Sequence, residues 1–260
     1  MDKNLENRLE IAKQVAKIAG DYALSKRDSN DFEVSQKSLN DFVTTADKET
    51  EALIFSELNK AFPQDGFYGE ESKEVSGKGR WVVDPIDGTT NYFRNLPNWV
   101  VSIAYEREYN KPLIGVIYAP CLNEMYYAMK GFGSYKNGKK IHTSNIGDIK
   151  FSINVCVPPH RYKELYADYM NKFNIIGTNS SDLRSLGSCA LELCYIASGY
   201  IDGYYELKLG YYDFAAGIII LEEAGGKYTI PHNNSVNKDD RIDLIATNGK
   251  LHSWFEKVIL

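Results

Sequence analysis

The sequence predicts an α/β protein with α+β layering, its helices packed on mixed rather than all-parallel sheets. Three observations carry that expectation. Segments of helical and strand periodicity alternate along 260 residues. Neighbouring strand segments are joined by turns short enough for hairpins, as at Tyr135-Lys136-Asn137-Gly138. A content of 43% apolar and 25% charged residues matches a soluble globular chain with a sizeable core. The length exceeds a usual domain of ~100–150 residues. No linker, repeat or low-complexity run divides the chain, so the expected organisation is one compact unit of two halves, 1–140 and 141–260.

Leu5, Leu9, Ala12, Val15, Ala16, Ala19 and Ala23 recur at spacings of three and four, which predicts an amphipathic first helix closing near Ser25. Phe32 to Lys37 alternates as a strand does. Asn40 to Thr45 reads as a loop into a helix of about four turns that Pro63 ends. Ser72 to Gly79 is a polar, glycine-containing loop suited to motion. Strands are expected at 80–84, 99–105, 113–118 and 124–129. Gly133-x4-Gly138-Lys139 imitates a phosphate-binding loop, but Lys140 stands where a hydroxyl residue belongs and the surroundings are a hairpin. The second half is expected to hold a strand at 151–157, a helix over 161–173, a short strand near 174–177 and a helix from Ser188 through Ala197. A strand from Gly203 to Glu206 and a helix from Asp213 to Gly225-Gly226 follow.

Net charge is −5, without the broad basic footprint of a nucleic-acid-binding protein. Residues 1–20 mix charges of both signs with no apolar signal-like core, and no apolar run of membrane-spanning length occurs. Cys121, Cys156, Cys189 and Cys194 lie among apolar neighbours with no CxxC pair, so they read as buried thiols in a reducing, cytoplasmic compartment. The four histidines form no spaced cluster, which argues against a histidine-rich metal site.

Chemistry concentrates in Arg80-Trp81-Val82-Val83-Asp84-Pro85-Ile86-Asp87-Gly88-Thr89-Thr90-Asn91. Pro85 has no N–H and biases Asp84 to extended geometry, which places Asp84 at the strand's last position. Gly88 lets the backbone approach an anion, and Thr89 adds a hydroxyl beside it. Asp84 and Asp87 meet the preference of Mg²⁺ for a few carboxylates plus substrate phosphate. An Asx-type turn uses the same residue types, so this motif alone leaves both readings open.

Two further stretches add context. Phe67-Tyr68-Gly69-Glu70-Glu71-Ser72 lies upstream, and Gly210-Tyr211-Tyr212-Asp213-Phe214-Ala215-Ala216-Gly217 downstream, followed by Glu222-Glu223-Ala224-Gly225-Gly226. Together with Asp84 to Asn91 they resemble the signature set of the inositol monophosphatase family, the Mg²⁺-dependent, lithium-sensitive sugar phosphatases. The resemblance, of the bacterial type, runs from Lys37 to Gly226.

The resemblance implies a five-layered αβαβα fold, two or three Mg²⁺ per site and a homodimer. It implies that Glu70, Asp84 and the carbonyl of Ile86 hold one metal, and that Asp84, Asp87 and Asp213 hold a second. Lys37, Asp41 and Asp47 would belong to the active-site region. Thr89, polarised by Asp47 and helped by Glu70, would activate water, while Gly88 and Thr89 N–H groups cradle phosphate. Glu206 would accept hydrogen bonds from substrate hydroxyls, with Gly187, Ser188 and Cys189 lining the same pocket. Without the resemblance, Asp47 could simply complement a helix dipole and Glu206 could be a solvated strand end. Tyr212 departs from the family, which commonly has Trp there, and its hydroxyl needs a partner.

Four converging carboxylates require cations, because each like-charged pair at ~4 Å costs on the order of 4 kcal/mol at an effective dielectric of 20. The expected activity is Mg²⁺-dependent hydrolysis of a phosphate monoester, foremost myo-inositol monophosphate, by in-line attack of water. Fructose 1,6-bisphosphate, NADP and 3′-phosphoadenosine phosphate are alternative substrates. A regulatory or interaction protein that keeps the fold is the alternative of another class, and a lost metal ligand would be its sign.

Overall fold

The computed structural model describes residues 2–38, 41–231 and 241–260, with the side chains of Lys37, Ser38 and Asp41 excepted. The first half holds α1 (Lys3–Asp28), β1 (Val34–Ser38), β2 (Asp41–Thr44), α2 (Thr45–Ala61), β3 (Gly66–Gly69), β4 (Arg80–Asp87) and α3 (Thr89–Phe93). It continues through β5 (Val100–Glu108), β6 (Lys111–Ala119), β7 (Glu124–Met129), β8 (Gly133–Lys136) and β9 (Lys139–Ile141). Then come β10 (Ile153–Val157), α4 (Tyr166–Asn179), β11 (Asp182–Arg184), α5 (Cys189–Ala197), β12 (Gly203–Leu209) and α6 (Tyr211–Glu223). The last elements are β13 (Lys227–Thr229), β14 (Ile242–Thr247) and α7 (His252–Ile259).

β1 and β2 form a small antiparallel pair. A seven-stranded sheet runs β3 to β9 in chain order, parallel at β3/β4 and antiparallel beyond. A five-stranded sheet has the order β11-β10-β12-β14-β13, with β10 parallel to both neighbours and β14 antiparallel to both of its own. Both sheets are mixed, as the sequence predicts.

Alternation along each strand builds the layers. Val83, Val101, Ile103 and Val116 face the apolar stripes of α1 and α2. Val82, Val100, Ala104 and Ile117 face the opposite way, onto α5 and α6, which also meet Val155, Tyr204, Leu244 and Ala246 of the second sheet. Cys156, Tyr205 and Ile245 turn to the outer face and pack on α4 and α7. The order is therefore helix, sheet, helix, sheet, helix. α6 is apolar on every side because sheets cover both of its faces.

Several boundaries differ from the sequence reading. α1 runs to Asp28, beyond Ser25. The backbone of Asp41–Thr44 is strand rather than loop, and Asn40 lies outside the described residues. Residues 174–177 are the last turns of α4, not a strand, and the strand falls at Asp182–Arg184. A short apolar run does not distinguish a strand from a buried helical face, and Ile176 is fully buried on such a face. α4 itself starts at Tyr166 after a 3₁₀ turn at Lys163–Leu165. The loop after Glu71 is tied along β3, where Phe67 and Val75 exchange two backbone hydrogen bonds of 2.8 Å. Of the four free thiols, Cys121 is only half-buried.

Candidate active site

β4 does not stop at Asp84. Asp84 pairs with Ser102 and Asp87 with Val100, so the strand carries one extra residue in a bulge and continues to Asp87. The bulge takes up Pro85, which has no N–H for the ladder. Within it, the Ile86 N–H donates to Asp84 Oδ1 at 3.0 Å. Gly88 then turns the chain into α3 with φ +95°, and a Cβ there would lie 3.0 Å from the carbonyl oxygens of both Asn98 and Gly187. Only glycine combines that φ with that approach.

Thr89 opens α3. Its Oγ1 lies 3.1 Å from Asp47 Oδ1 and 3.2 Å from the Ile86 carbonyl oxygen. Asp47 is fully buried at the start of α2, where Thr44 donates to its Oδ2 from the backbone N–H at 2.8 Å and from Oγ1 at 2.5 Å. This is a helix-capping box, so the structural reading of Asp47 holds for one oxygen while the other faces Thr89. Asp213 supplies half of the same device in the first turn of α6, its Oδ2 accepting from the Gly210 N–H at 2.6 Å, while glycine has no side chain to return the bond.

One carboxylate oxygen each from Asp84, Asp87 and Asp213 lies within 4.8 Å of the others. Glu70 follows β3, donates its N–H to the Val83 carbonyl at 3.2 Å and borders the same cavity, outside that tight triplet. The cavity has a volume of about 580 Å³. Gly187, Ser188, Cys189 and Glu206 form part of its wall. Ser188 turns its Oγ to Asp87 Oδ2 at 2.6 Å, which also accepts from the Ala190 N–H at 2.7 Å. Glu206 accepts a hydrogen bond from the Tyr204 hydroxyl. It is a half-buried cavity group rather than a solvated strand end.

Burial dominates the electrostatics. It pushes Asp84 well above the usual carboxylate range, Asp87 up to about 6 and Asp213 up to about 8, with mutual repulsion in the same direction. Burial likewise raises Asp47 to about 6 against the hydrogen bonds from Thr44 and Thr89. An all-oxygen donor set whose members resist joint ionisation fits a hard divalent cation, which would compensate the charges that burial penalises.

Other residues supporting the site escaped the sequence reading. Glu51 on α2 accepts the Glu71 N–H at 2.9 Å and so holds the turn that carries Glu70. Glu192 accepts the Leu186 N–H, and Asn91 Nδ2 donates to the carbonyls of Asn98 at 2.6 Å and Leu186 at 2.7 Å, which joins the first-half turn to the segment before α5. A signal existed for the two glutamates, since each interrupts an otherwise buried helical stripe. The Lys37 and Asp41 side chains lie outside the described residues.

The sequence model of the inositol monophosphatase family matches residues 4–259. The chain is 38% identical over 232 residues to Nus factor SuhB of Escherichia coli K12, covering 86% of each. It is 37% identical over 198 residues to the inositol-1-monophosphatase of Mesorhizobium japonicum, covering 75% of this chain and 74% of that one. Among solved structures, the extragenic suppressor protein suhB of Bartonella henselae superposes with a TM-score of 0.91 at 33% identity, covering 97% of this chain and 98% of that one.

Proposed function

The chain belongs to the inositol monophosphatase family, and from that premise we propose that it is a Mg²⁺-dependent phosphoric monoester hydrolase acting foremost on myo-inositol monophosphate. The observation that carries the reading is the convergence of Asp84, Asp87 and Asp213 within 4.8 Å, on a cavity that Glu70, Thr89 and Glu206 also border. Residues 1–140 supply Asp47 to Thr89 and residues 141–260 supply Asp213 and the sugar-facing wall, as two halves of one unit. The reading includes a cytoplasmic homodimer. Among the described residues no helix is long and apolar enough to cross a membrane.

Asp84, Asp87 and Asp213, with Glu70 and the Ile86 carbonyl, are the groups that would hold two or three Mg²⁺. When bound, the cations supply charge neutralisation and Lewis acidity towards the phosphate and the attacking water. The chain's own groups do the rest. Thr89 has one hydroxyl hydrogen, which it gives to Asp47 Oδ1, and its oxygen then accepts a proton-bearing bond from the water it orients. The N–H groups of Gly88 and Thr89, at the turn into α3, would cradle phosphate oxygens. Glu206 and the Gly187-Ser188-Cys189 backbone orient the polyol.

The non-catalytic alternative would be signalled by a broken ligand set, and here Glu70, Asp84, Asp87, Thr89 and Asp213 all border one cavity. Turnover of inositol 1-phosphate, fructose 1,6-bisphosphate, NADP and 3′-phosphoadenosine phosphate, each with Mg²⁺ and with excess chelator, tests the reading. Inositol 1-phosphate is expected to be the best substrate and chelator to stop the reaction. Undiminished hydrolysis in chelator would refute the metal mechanism.

A further inference from the structure

Arg80 and Glu106 form an ion pair on the inner face of the seven-stranded sheet. They are directly opposed across β4 and β5, two residues along each strand from the opposed pair Val82 and Ala104. Strand alternation puts all four side chains on the face that packs α6, where Val82 and Ala104 belong to the apolar core. Arg80 Nε lies 2.6 Å from Glu106 Oε1, and the two residues are 7% and 1% exposed. An apolar pair would fill this place about as stably, because the desolvation of two buried charges offsets most of their attraction. The pair therefore calls for a reason other than packing.

That reason lies in what each partner holds next. Glu106 Oε2 accepts from the Tyr211 hydroxyl at 2.7 Å. Tyr211 is the first residue of α6, two before Asp213. On the other side, Arg80 Nη1 donates to Glu74 Oε1 at 2.8 Å, in the loop that follows Glu70. The guanidinium carbon also lies 4.9 Å from the ring centroid of Tyr68, two residues before Glu70, and 3.9 Å from that of Tyr109, whose hydroxyl donates to Glu74 at 3.3 Å. The Tyr68 and Tyr211 rings stack with centroids 6.5 Å apart. Next to Tyr211, the Tyr212 hydroxyl finds its partner in Arg241 Nη1, which donates to it at 3.3 Å. One buried ion pair is thus joined to every segment that brings Glu70, Asp84, Asp87 or Asp213 to the cavity, namely the end of β3, β4 and the start of α6.

We propose that Arg80 and Glu106 are positioning residues for the carboxylate cluster. Glu106 holds the first turn of α6, and with it Asp213, through the Tyr211 hydroxyl. Arg80 holds the turn that carries Glu70 through Glu74 and Tyr68. Neither residue borders the cavity, so each acts only through these partners. A fully bonded buried network fixes the spacing of the elements it joins, where apolar contacts alone allow them to slide. This role rests on the reading of the cluster as a divalent-cation site, whose oxygens must keep a set spacing.

Three variants test it, by calorimetry of Mg²⁺ binding, thermal melts and amide exchange of the metal-free protein. Tyr211→Phe should weaken Mg²⁺ binding by about two- to thirtyfold, the range for a lost network contact, and should speed exchange over residues 211–216. The triple variant Arg80→Met, Glu106→Leu, Tyr211→Phe removes both charges and the hydroxyl together. It should melt no lower than Tyr211→Phe, since no buried charge is left unpaired between β4 and β5, yet bind Mg²⁺ no better. Phe255→Leu, in the outer layer, should lower Tm without weakening Mg²⁺ binding. Wild-type Mg²⁺ affinity in Tyr211→Phe or in the triple variant overturns the proposal, because the pair then serves packing alone. An equal loss of affinity in Phe255→Leu overturns it as well, since affinity would then follow global stability. If the wild type binds no Mg²⁺, the metal reading is what fails, and exchange decides the positioning role. Faster exchange over 211–216 in Tyr211→Phe, and not in Phe255→Leu, supports that role, and any other pattern overturns it.

Discussion

Asp47 shows how one side chain serves two purposes, because its two oxygens have different partners. Oδ2 closes the capping box of α2 and Oδ1 takes the Thr89 hydroxyl. Burial raises its pKa to about 6, so below that pH Asp47 keeps its own proton and cannot accept the one from Thr89. Activity should therefore fall on the acid side with a limb near pH 6, and kcat/KM measured from pH 5 to 8 checks it. Thr89→Ala should lower kcat by roughly 10²-fold or more with less effect on KM, as for a lost proton-transfer or water-orienting group. A near-normal kcat would show that another group orients the water. Glu206→Ala should cost inositol phosphate about ten- to a hundredfold in kcat/KM and an aryl phosphate little, since only the former offers hydroxyls to the carboxyl. Asp84, Asp87 and Thr89 were legible in the sequence because one short bulged turn gathers them. Glu51 and Glu192 stand out in the sequence only as acids on buried helical stripes, and their partners, 20 and 6 residues away in the chain, are not announced by any local pattern.

At the scale of elements, α6 links the core to the site. It is buried between the sheets and presents Asp213 from its first turn. β6 approaches it closely at Gly115, where a Cβ would come within 2.4 Å of the Ala216 carbonyl oxygen and 2.5 Å of Ile219 Cγ2. Gly115→Ala should destabilise the protein by roughly 1–3 kcal/mol through overpacking and weaken Mg²⁺ binding by shifting α6. Gly147→Ala, where a Cβ meets nothing within 4 Å, is the control. Thermal melts and Mg²⁺ titrations of the two variants decide it, and equal behaviour would mean that α6 yields without moving Asp213. Strands β4 to β7 were legible because period-two alternation is long there and turns punctuate it. β13, β14 and α7 were not, although Leu244, Ile245 and Phe255 are fully buried. Their short apolar runs follow the glycine stop at Gly225-Gly226, and they join the five-stranded sheet and its outer layer through long-range contacts, β14 pairing with β12, β13 with β14, and α7 packing on α4.

The whole molecule carries a net charge of −5 and concentrates buried acid where α2, β4 and α6 meet. This sets how its stability responds to pH and metal. Asp87 and Asp213 have folded-state pKa values of about 6 and about 8, against 3.8 for an unperturbed aspartate. Between pH 4 and 8 the folded protein therefore binds more protons than the unfolded chain, so the contribution of these groups is fully present below pH 4 and is lost as pH rises through 6 and 8. Without metal, Tm should decline from pH 5 to pH 8. Mg²⁺ reverses the sign because it binds the ionised carboxylates, so its stabilisation should be larger at pH 8 than at pH 5. Asp213→Asn removes the group with the higher of the two values and should flatten the metal-free decline while reducing the Mg²⁺ effect at pH 8. Scanning calorimetry of both proteins, in chelator and in Mg²⁺, separates these terms. A metal-free Tm that rises across this range would mean that the three carboxylates ionise together without a cation, against the cost of burying like charges within 4.8 Å.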